Sequence, residues 1–483
     1  MKTIRRRKTN KGKKSKKRIN KYKRKFIKKQ KGGAPGIEIN DTLITSLSGP
    51  VSFYYLKPNV ENPYDMKYFP LIILFGDIHG SKEGPCVNCT CSKEEGNCCY
   101  TISDHSFLQL LDTLGSKLHP IDFYTETFVV GTDKGFINGY MGDLTTKDMV
   151  TCYQRTLRGT EYNKCPTKNI RWQAGDPRQA GYTFGKQGEV YYYYEEDETV
   201  IQLLDKNING KSYIDTIPKQ FIDNAYIEFQ FTELLDELYQ IFKNLMLKHH
   251  ELATYRIDRF NKLLLKSEFK TLDKFLTLLN TLYDEETKLL NTDKFSETFF
   301  SMMTRENSLI FKQIMKQEYL PFKDINYWSK MYAESLRHKF IDSGDYPLDP
   351  EDFKPVLVNI ESVVTDIDIY FRDYDAFDLS RDIRDWTYVL DILQVAIGSP
   401  LLDIYTITRI LKKPDGGNRS SLSFGYFGNN HVKNMVNLLL ATNKYVLVHS
   451  IPISDDTNRC LDINFSLNLD EDVNTYNELH SIY

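Results

Sequence analysis

The first 31 residues hold no aspartate or glutamate among 18 lysines and arginines. A segment with so many like charges has nothing to pack against and stays solvated until it meets a polyanion. Removing it leaves 45 basic residues against 65 acidic ones, so a net charge of −2 for the chain hides a body near −20. That acidity argues against nucleic acid as the main substrate of the folded part. Long apolar runs are also missing. A bilayer-spanning helix needs roughly 18 apolar residues in a row, and the longest run near the front is Leu71-Ile72-Ile73-Leu74-Phe75. No hydrophobic stretch follows the basic start, so the pattern of a secretory signal is absent, and a cytosolic or nuclear compartment is the expectation. No repeat recurs at a period of about 20–50 residues. Hydrophobic residues make up 41% of the 483, with 32 Tyr and 28 Phe, ample for a core and enough to exclude global disorder.

The patterning predicts an α/β fold: a central, mainly parallel sheet flanked by helices, with a helical insertion and a disordered basic N-terminal arm. Residues 1–36 form the arm, ending in the linker Gly32-Gly33-Ala34-Pro35-Gly36. Residues 37–200 form the first part of the α/β domain. Within it, Leu71–Phe75 suits a strand buried on both faces, Phe107–Leu114 a helix, and Ile121–Glu126 a second strand. Residues 201–350 form a helical insertion, with Leu234, Leu235, Leu238, Ile241, Phe242 and Leu245 on one face and Leu272, Phe275, Leu276, Leu279 and Leu282 on another. Residues 351–483 return to α/β. A helix is expected near Trp386–Val395, a strand at Ser423–Phe427, a helix at Val432–Leu439 and a strand at Tyr445–Val448.

Two segments share a form, each an apolar strand ending in Gly-x-x-His: Gly76-Asp77-Ile78-His79 and Gly428-Asn429-Asn430-His431. Ligands of parallel α/β sheets bind outside the carboxyl ends of strands. If the two strands are neighbours, His79 and His431 meet at one crevice, and Glu126, closing a third strand, joins them. Imidazole and carboxylate are ligands for zinc and similar ions. Asp77, His79, Glu126 and His431 therefore make a candidate catalytic set for one divalent metal, Zn or Mn, with a position left for an activated water. Without metal, one histidine would serve as general base, oriented by Asp77 or Glu126. The plainer account of His431 is a loop or helix-start histidine. Arg171, Asp176 and Arg178 near Trp172 are candidates to clamp an anionic substrate, the alternative being a surface salt-bridge network. Cys86, Cys89, Cys91, Cys98 and Cys99 crowd one window, and structural zinc, a disulfide-stapled loop and free thiols all remain open. Cys152 and Cys165 are candidates to pair as a separate loop staple. The arm, residues 1–32, is expected to bind nucleic acid or an anionic membrane, with a nuclear-localisation signal as an equal alternative.

The segment Gly76–Gly80 resembles the first motif of calcineurin-like metallophosphoesterases, with Gly142-Asp143-Leu144-Thr145-Thr146 nearest to the second. The fuller likeness is to the erythromycin-esterase-like, ChaN and TraB/Tiki superfamily, whose early Gly-x-x-His, strand-ending acid and late Gly-x-x-His correspond to Gly76–His79, Glu126 and Gly428–His431. That resemblance implies a hydrolase of esterase or peptidase type acting on a small molecule or peptide, with the helical block as an insertion. The Lys-rich start, the Gly76–Ser81 stretch with its Cys-rich sequel, and Ile170–Arg178 are similar to proteins of large nucleocytoplasmic DNA viruses. This implies a host-cytoplasmic or virion location and, as the other reading, a non-catalytic virion or scaffold component. Gly32-Gly33-Ala34 then resembles a maturation-protease site, or is a plain linker.

Overall fold

The uninterrupted apolar run at 71–75 sets the architecture, because a strand with no polar face must be covered on both sides. In the computed structural model, the described residues are 34–59, 68–78, 97–102, 105–116, 119–126, 167, 169–175, 227–304, 309–342, 346–353, 360, 364, 379–412, 419–453 and 460–480. The protein is mixed α/β. In chain order the elements are β1 (Gly36–Ile39), β2 (Thr42–Ser48), β3 (Ser52–Pro58), β4 (Leu71–Asp77), β5 (Asn97–Thr101), α1 (His105–Gly115), β6 (Ile121–Thr125), β7 (Ile170–Ala174), α2 (Ile227–Met246), α3 (His250–Lys266), α4 (Leu272–Asn280), β8 (Tyr283–Asp284), β9 (Leu289–Leu290), α5 (Thr292–Met303), α6 (Leu309–Met315), α7 (Ile325–Arg337), α8 (Leu379–Leu411), β10 (Leu422–Gly428), α9 (Asn429–Ala441), β11 (Tyr445–Ile451), β12 (Cys460–Asp462), β13 (Ser466–Asn468) and α10 (Leu469–His480).

By its contacts the chain divides into two units: one of residues 1–125, 140–173 and 413–483, the other of residues 126–139 and 174–412. The first carries a six-stranded sheet of order β11-β3-β4-β10-β6-β7. Here β4 pairs in parallel with β10, and β10 in parallel with β6. On the other side β3 runs antiparallel to β4, and β11 antiparallel to β3, so one flank of the sheet is antiparallel. Every residue of β4 and of β10 is buried. Phe123 of β6 stacks on Phe424 of β10 at 4.2 Å. A five-stranded sheet, β12-β2-β1-β13 with β5 also on β2, shares the same core, where Ile37, Ile44 and Leu47 join Phe53, Phe75, Phe424 and Tyr426. The terminal helix α10 is fastened by Asp472, whose carboxylate accepts from the Tyr55 hydroxyl at 2.9 Å and from Lys57 Nζ at 2.6 Å. Cys460 is disulfide-bonded, and its partner lies outside the described side chains.

The second unit is helical in its described residues, apart from the β8–β9 hairpin. All six positions expected on the α2 stripe are fully buried, and α2 packs against α3 and α8. Phe231 gathers Phe269, Phe275, Phe295 and Phe299 with ring centroids 5.3–5.8 Å away. Helix starts are set by local side chains: Thr271, Asn291 and Asp324 accept from Lys274, Lys294 and Asn326 backbone N–H groups. By contacts α8 belongs to this unit, whereas the sequence boundaries assign it to residues 351–483. Residues Arg384–Leu411 are long and apolar enough to cross a membrane by composition, but 83% of the most apolar window is buried inside the protein, as in a core helix. It also contains Pro400, which cannot donate to the fourth carbonyl back. Beside that gap the Tyr332 hydroxyl donates to Ile397 O at 3.1 Å.

A buried charge cluster joins α2, α3 and α8. Glu237, fully buried, accepts from Arg256 Nη1 at 3.1 Å and Arg259 Nε at 2.9 Å. Asp236 accepts from Gln394 Nε2 at 2.9 Å. Burial, with the Glu237 charge adding to it and the two arginines opposing, pushes Asp236 up to about 6 from an ordinary 3.8. Glu233, one turn earlier, is also pushed up, chiefly by burial. A carboxyl with a raised folded pKa holds its proton more tightly when folded, so stability falls as pH rises from about 4 to about 6 and stays at the lower value above. Asp236→Asn keeps the acceptor for Gln394 and removes the charge. It should stabilise the unit at pH 7 by on the order of 2–3 kcal/mol and flatten the pH dependence between about 4 and 6, read from urea unfolding at several pH values.

Candidate functional site

Parallel pairing brings two strand ends together. Gly76 stands opposite Phe427 and Asp77 opposite Gly428, so β4 and β10 finish level at the carboxyl rim. From there β10 passes into α9 without a connecting residue. Gly428 is both the last strand residue and the helix N-cap, and it supplies no side-chain cap. The first residues of α9, Asn429, Asn430 and His431, therefore bring backbone N–H groups that lack partners within the helix to the rim, at the positive end of the helix dipole. The β4 carboxylate, Asp77, is only 3% exposed. β6 lies on the far side of β10, with Thr125 opposite Tyr426.

Gly76 is required by what crosses it. Ser52 Oγ donates to Asn429 Oδ1 at 2.7 Å, linking the start of β3 to the start of α9 over the end of β4. A Cβ on residue 76 would run into Ser52 Oγ and stand 2.7 Å from Asn429 Oδ1. The Gly76 carbonyl also accepts from Val51 N at 2.8 Å. The rim is thus laced by three segments, and Ser52 and Asn429 were not singled out from sequence. Neither has a local signal, because their pairing depends on β3, β4 and β10 lying side by side.

Of the expected catalytic residues, Asp77 ends β4 and is buried. His431 is the third residue of α9 and half-buried, a helix-start position. Glu126 follows β6, is buried, and by contacts is the first residue of the second unit. His79 lies outside the described residues. Among the described residues, no group of three or more His, Cys, Asp or Glu is arranged to hold a metal ion, so a centre at this rim would need His79. Of the expected anion clamp, Arg171 on β7 is engaged with Asp122 of β6, Nε to Oδ1 at 2.6 Å and Nη2 to Oδ2 at 2.8 Å, which ties the two strands. Asp176 and Arg178 lie outside the described residues. So do Cys86, Cys89, Cys91, Cys152 and Cys165, the 142–146 segment and residues 1–33. Cys98 and Cys99 fall on β5, where only their backbone is described.

A buried carboxylate and a half-buried imidazole are groups that can ligate a cation or orient water, while the helix N-terminus can donate N–H bonds to a developing oxyanion. No protein-family model, curated protein or solved structure matches the chain. The site rests on its own geometry.

Gly76→Ala should destabilise the first unit by about 1–3 kcal/mol, the range for overpacking a tight site. Adding Ser52→Ala removes the first atom the new methyl meets, and should recover part of the loss in the same denaturation assay.

Proposed function

We propose that this chain is a metal-assisted hydrolase working at the carboxyl rim of β4 and β10. Asp77, His79 and His431 are the candidate ligands and proton-transfer groups. The observation that carries the reading is the level, parallel pairing of Asp77 with Gly428. Each partner continues into its own Gly-x-x-His segment. The donor set suits one divalent ion, Zn or Mn, since imidazole and carboxylate are ligands both accept. When bound, such an ion supplies a water acidic enough to act as hydroxide near neutral pH. Around it, Asp77 would hold charge in a nearly dry setting, His431 would orient or accept a proton at the helix start, and the α9 backbone N–H groups would face an oxyanion. The substrate class is an ester or amide of a small molecule or peptide, following the likeness of these segments to the erythromycin-esterase-like, ChaN and TraB/Tiki superfamily. Glu126 is not needed for this reading.

Metal content and turnover of an ester, peptide and phosphodiester panel test it in the full chain and in Asp77→Asn, His79→Ala, His431→Ala and Glu126→Gln. The first three should lose bound metal and slow hydrolysis by about 100-fold or more. Stoichiometric metal and full activity in both histidine variants would reject the assignment.

A second reading, a non-catalytic virion or scaffold component, is favoured by the charge division: 18 basic residues in the first 31 against a body near −20. On this reading the full chain binds duplex DNA with a steep loss of affinity as salt rises. A chain beginning at Ala34 should then lose that binding. Equal binding by the shortened chain would sink the role given to the arm.

A further inference from the structure

Neither the rim nor the arm uses the sulfur chemistry of the chain. Cys460, the first residue of β12, is disulfide-bonded and half-buried. Every other cysteine of the chain precedes residue 166. Strand pairing removes two of them as partners. Ser46, Leu47 and Ser48 of β2 pair both with β12 and with β5. A strand has only two edges, so β12 and β5 lie on opposite sides of β2, two strand spacings or roughly 9.5 Å apart. Cys460 is level with Ser48, whereas Cys99 is level with Ser46 and Cys98 with Ile44, which adds to the separation. A disulfide needs its two Cα atoms within about 7 Å, so Cys98 and Cys99 are out of reach. The five that remain, Cys86, Cys89, Cys91, Cys152 and Cys165, all belong to the first unit, as Cys460 does.

With any of the five, the bond closes a covalent loop that contains all of residues 174–412. It therefore joins the same two stretches of chain that β4 and β10 join by hydrogen bonds. In the stretch it anchors, β12 and β13 make three ladder pairs each, to β2 and β1. That stretch nonetheless carries Leu461, Leu467, Val473 and Tyr476 into the core shared with β3, β4 and β10, and its α10 fastens β3 through Asp472. A cross-link over a long loop restricts the unfolded chain strongly, and it also makes local release of the anchored segment rarer. We propose that Cys460 and one of Cys86, Cys89, Cys91, Cys152 and Cys165 form a redox latch on residues 460–480, set by thiol–disulfide exchange with a small-molecule or protein disulfide. Closing the latch forms one Sγ–Sγ bond. The two cysteine thiols lose two protons and two electrons, and the S–S bond of the exchange partner breaks to give two thiols. Opening runs the reverse, with a dithiol as reductant. A reductant thus loosens the carboxy-terminal segment ahead of the sheet it covers. The latch does not depend on the hydrolase reading of the rim.

The experiment compares the full chain oxidised with glutathione disulfide and reduced with dithiothreitol. The readouts are mass spectrometry of alkylated, non-reduced digests, thermal unfolding and amide hydrogen exchange. The digest of the oxidised chain should contain a Cys460 peptide linked to one of the five named cysteines. Reduction should lower Tm by about 5 °C or more. It should also speed amide exchange in residues 460–480 by about tenfold or more, with a smaller change in β4 and β10. Cys460→Ser should reproduce both effects and leave exchange in 460–480 insensitive to reductant, which separates this bond from any other disulfide of the chain. Among serine variants of the five candidates, only that of the mapped partner should behave in the same way. If Cys460→Ser folds poorly, reduction and reoxidation of the native chain supply the same comparison. Cys460 that is alkylated without prior reduction, or is linked to Cys98, to Cys99 or to a second chain, overturns the proposal. So does exchange in residues 460–480 that reduction leaves unchanged.

Discussion

Backbone hydrogen bonds between β4 and β10 hold together residues that the chain separates by most of its length, from Leu71↔Leu422 to Asp77↔Gly428. Closing so long a connection costs only a little more entropy than closing a shorter one. Both strands are buried along their whole length, so once paired they are difficult to part. The helical unit occupies the connection, and it too combines neighbours in sequence, α2 with α3, with a distant pairing of α2 with α8. The burial of Asp77, the level finish of the two strands and the emergence of α9 at the rim all follow from this one pairing.

Hydrophobic patterning foretold the elements well where it was strong. The apolar run at 71–75 is β4, the periodic stripe at 234–245 is α2, and Ser423–Phe427, Val432–Leu439 and Tyr445–Val448 are β10, α9 and β11. The second sheet was not foreseen, because β1, β12 and β13 are only three or four residues long and offer too little periodicity to detect. α8 extends well past the expected Trp386–Val395 because burial on several sides supports a helix through Pro400, where local preference argues for a stop.

The rim was partly legible. A glycine, an aspartate and a buried strand end at one place mark Asp77, and a glycine before a helix marks the start of α9. What could not be read were the links that depend on neighbours distant in sequence. Ser52 meets Asn429 only because β3 and β10 flank β4. Arg171 reaches Asp122 only because β7 lies beside β6, and nothing in the spacing of Arg171, Asp176 and Arg178 announces that partner.

The hairpin of β3 with β4 has a temporal consequence. Both strands leave the ribosome early and can pair at once, but β10 is translated roughly 20 to 70 s later at ordinary elongation rates. Throughout that interval the most apolar strand of the protein has one satisfied edge and one open edge. A nascent chain in that condition is a natural client for holding chaperones, and slowed translation of the helical segment would lengthen its exposure.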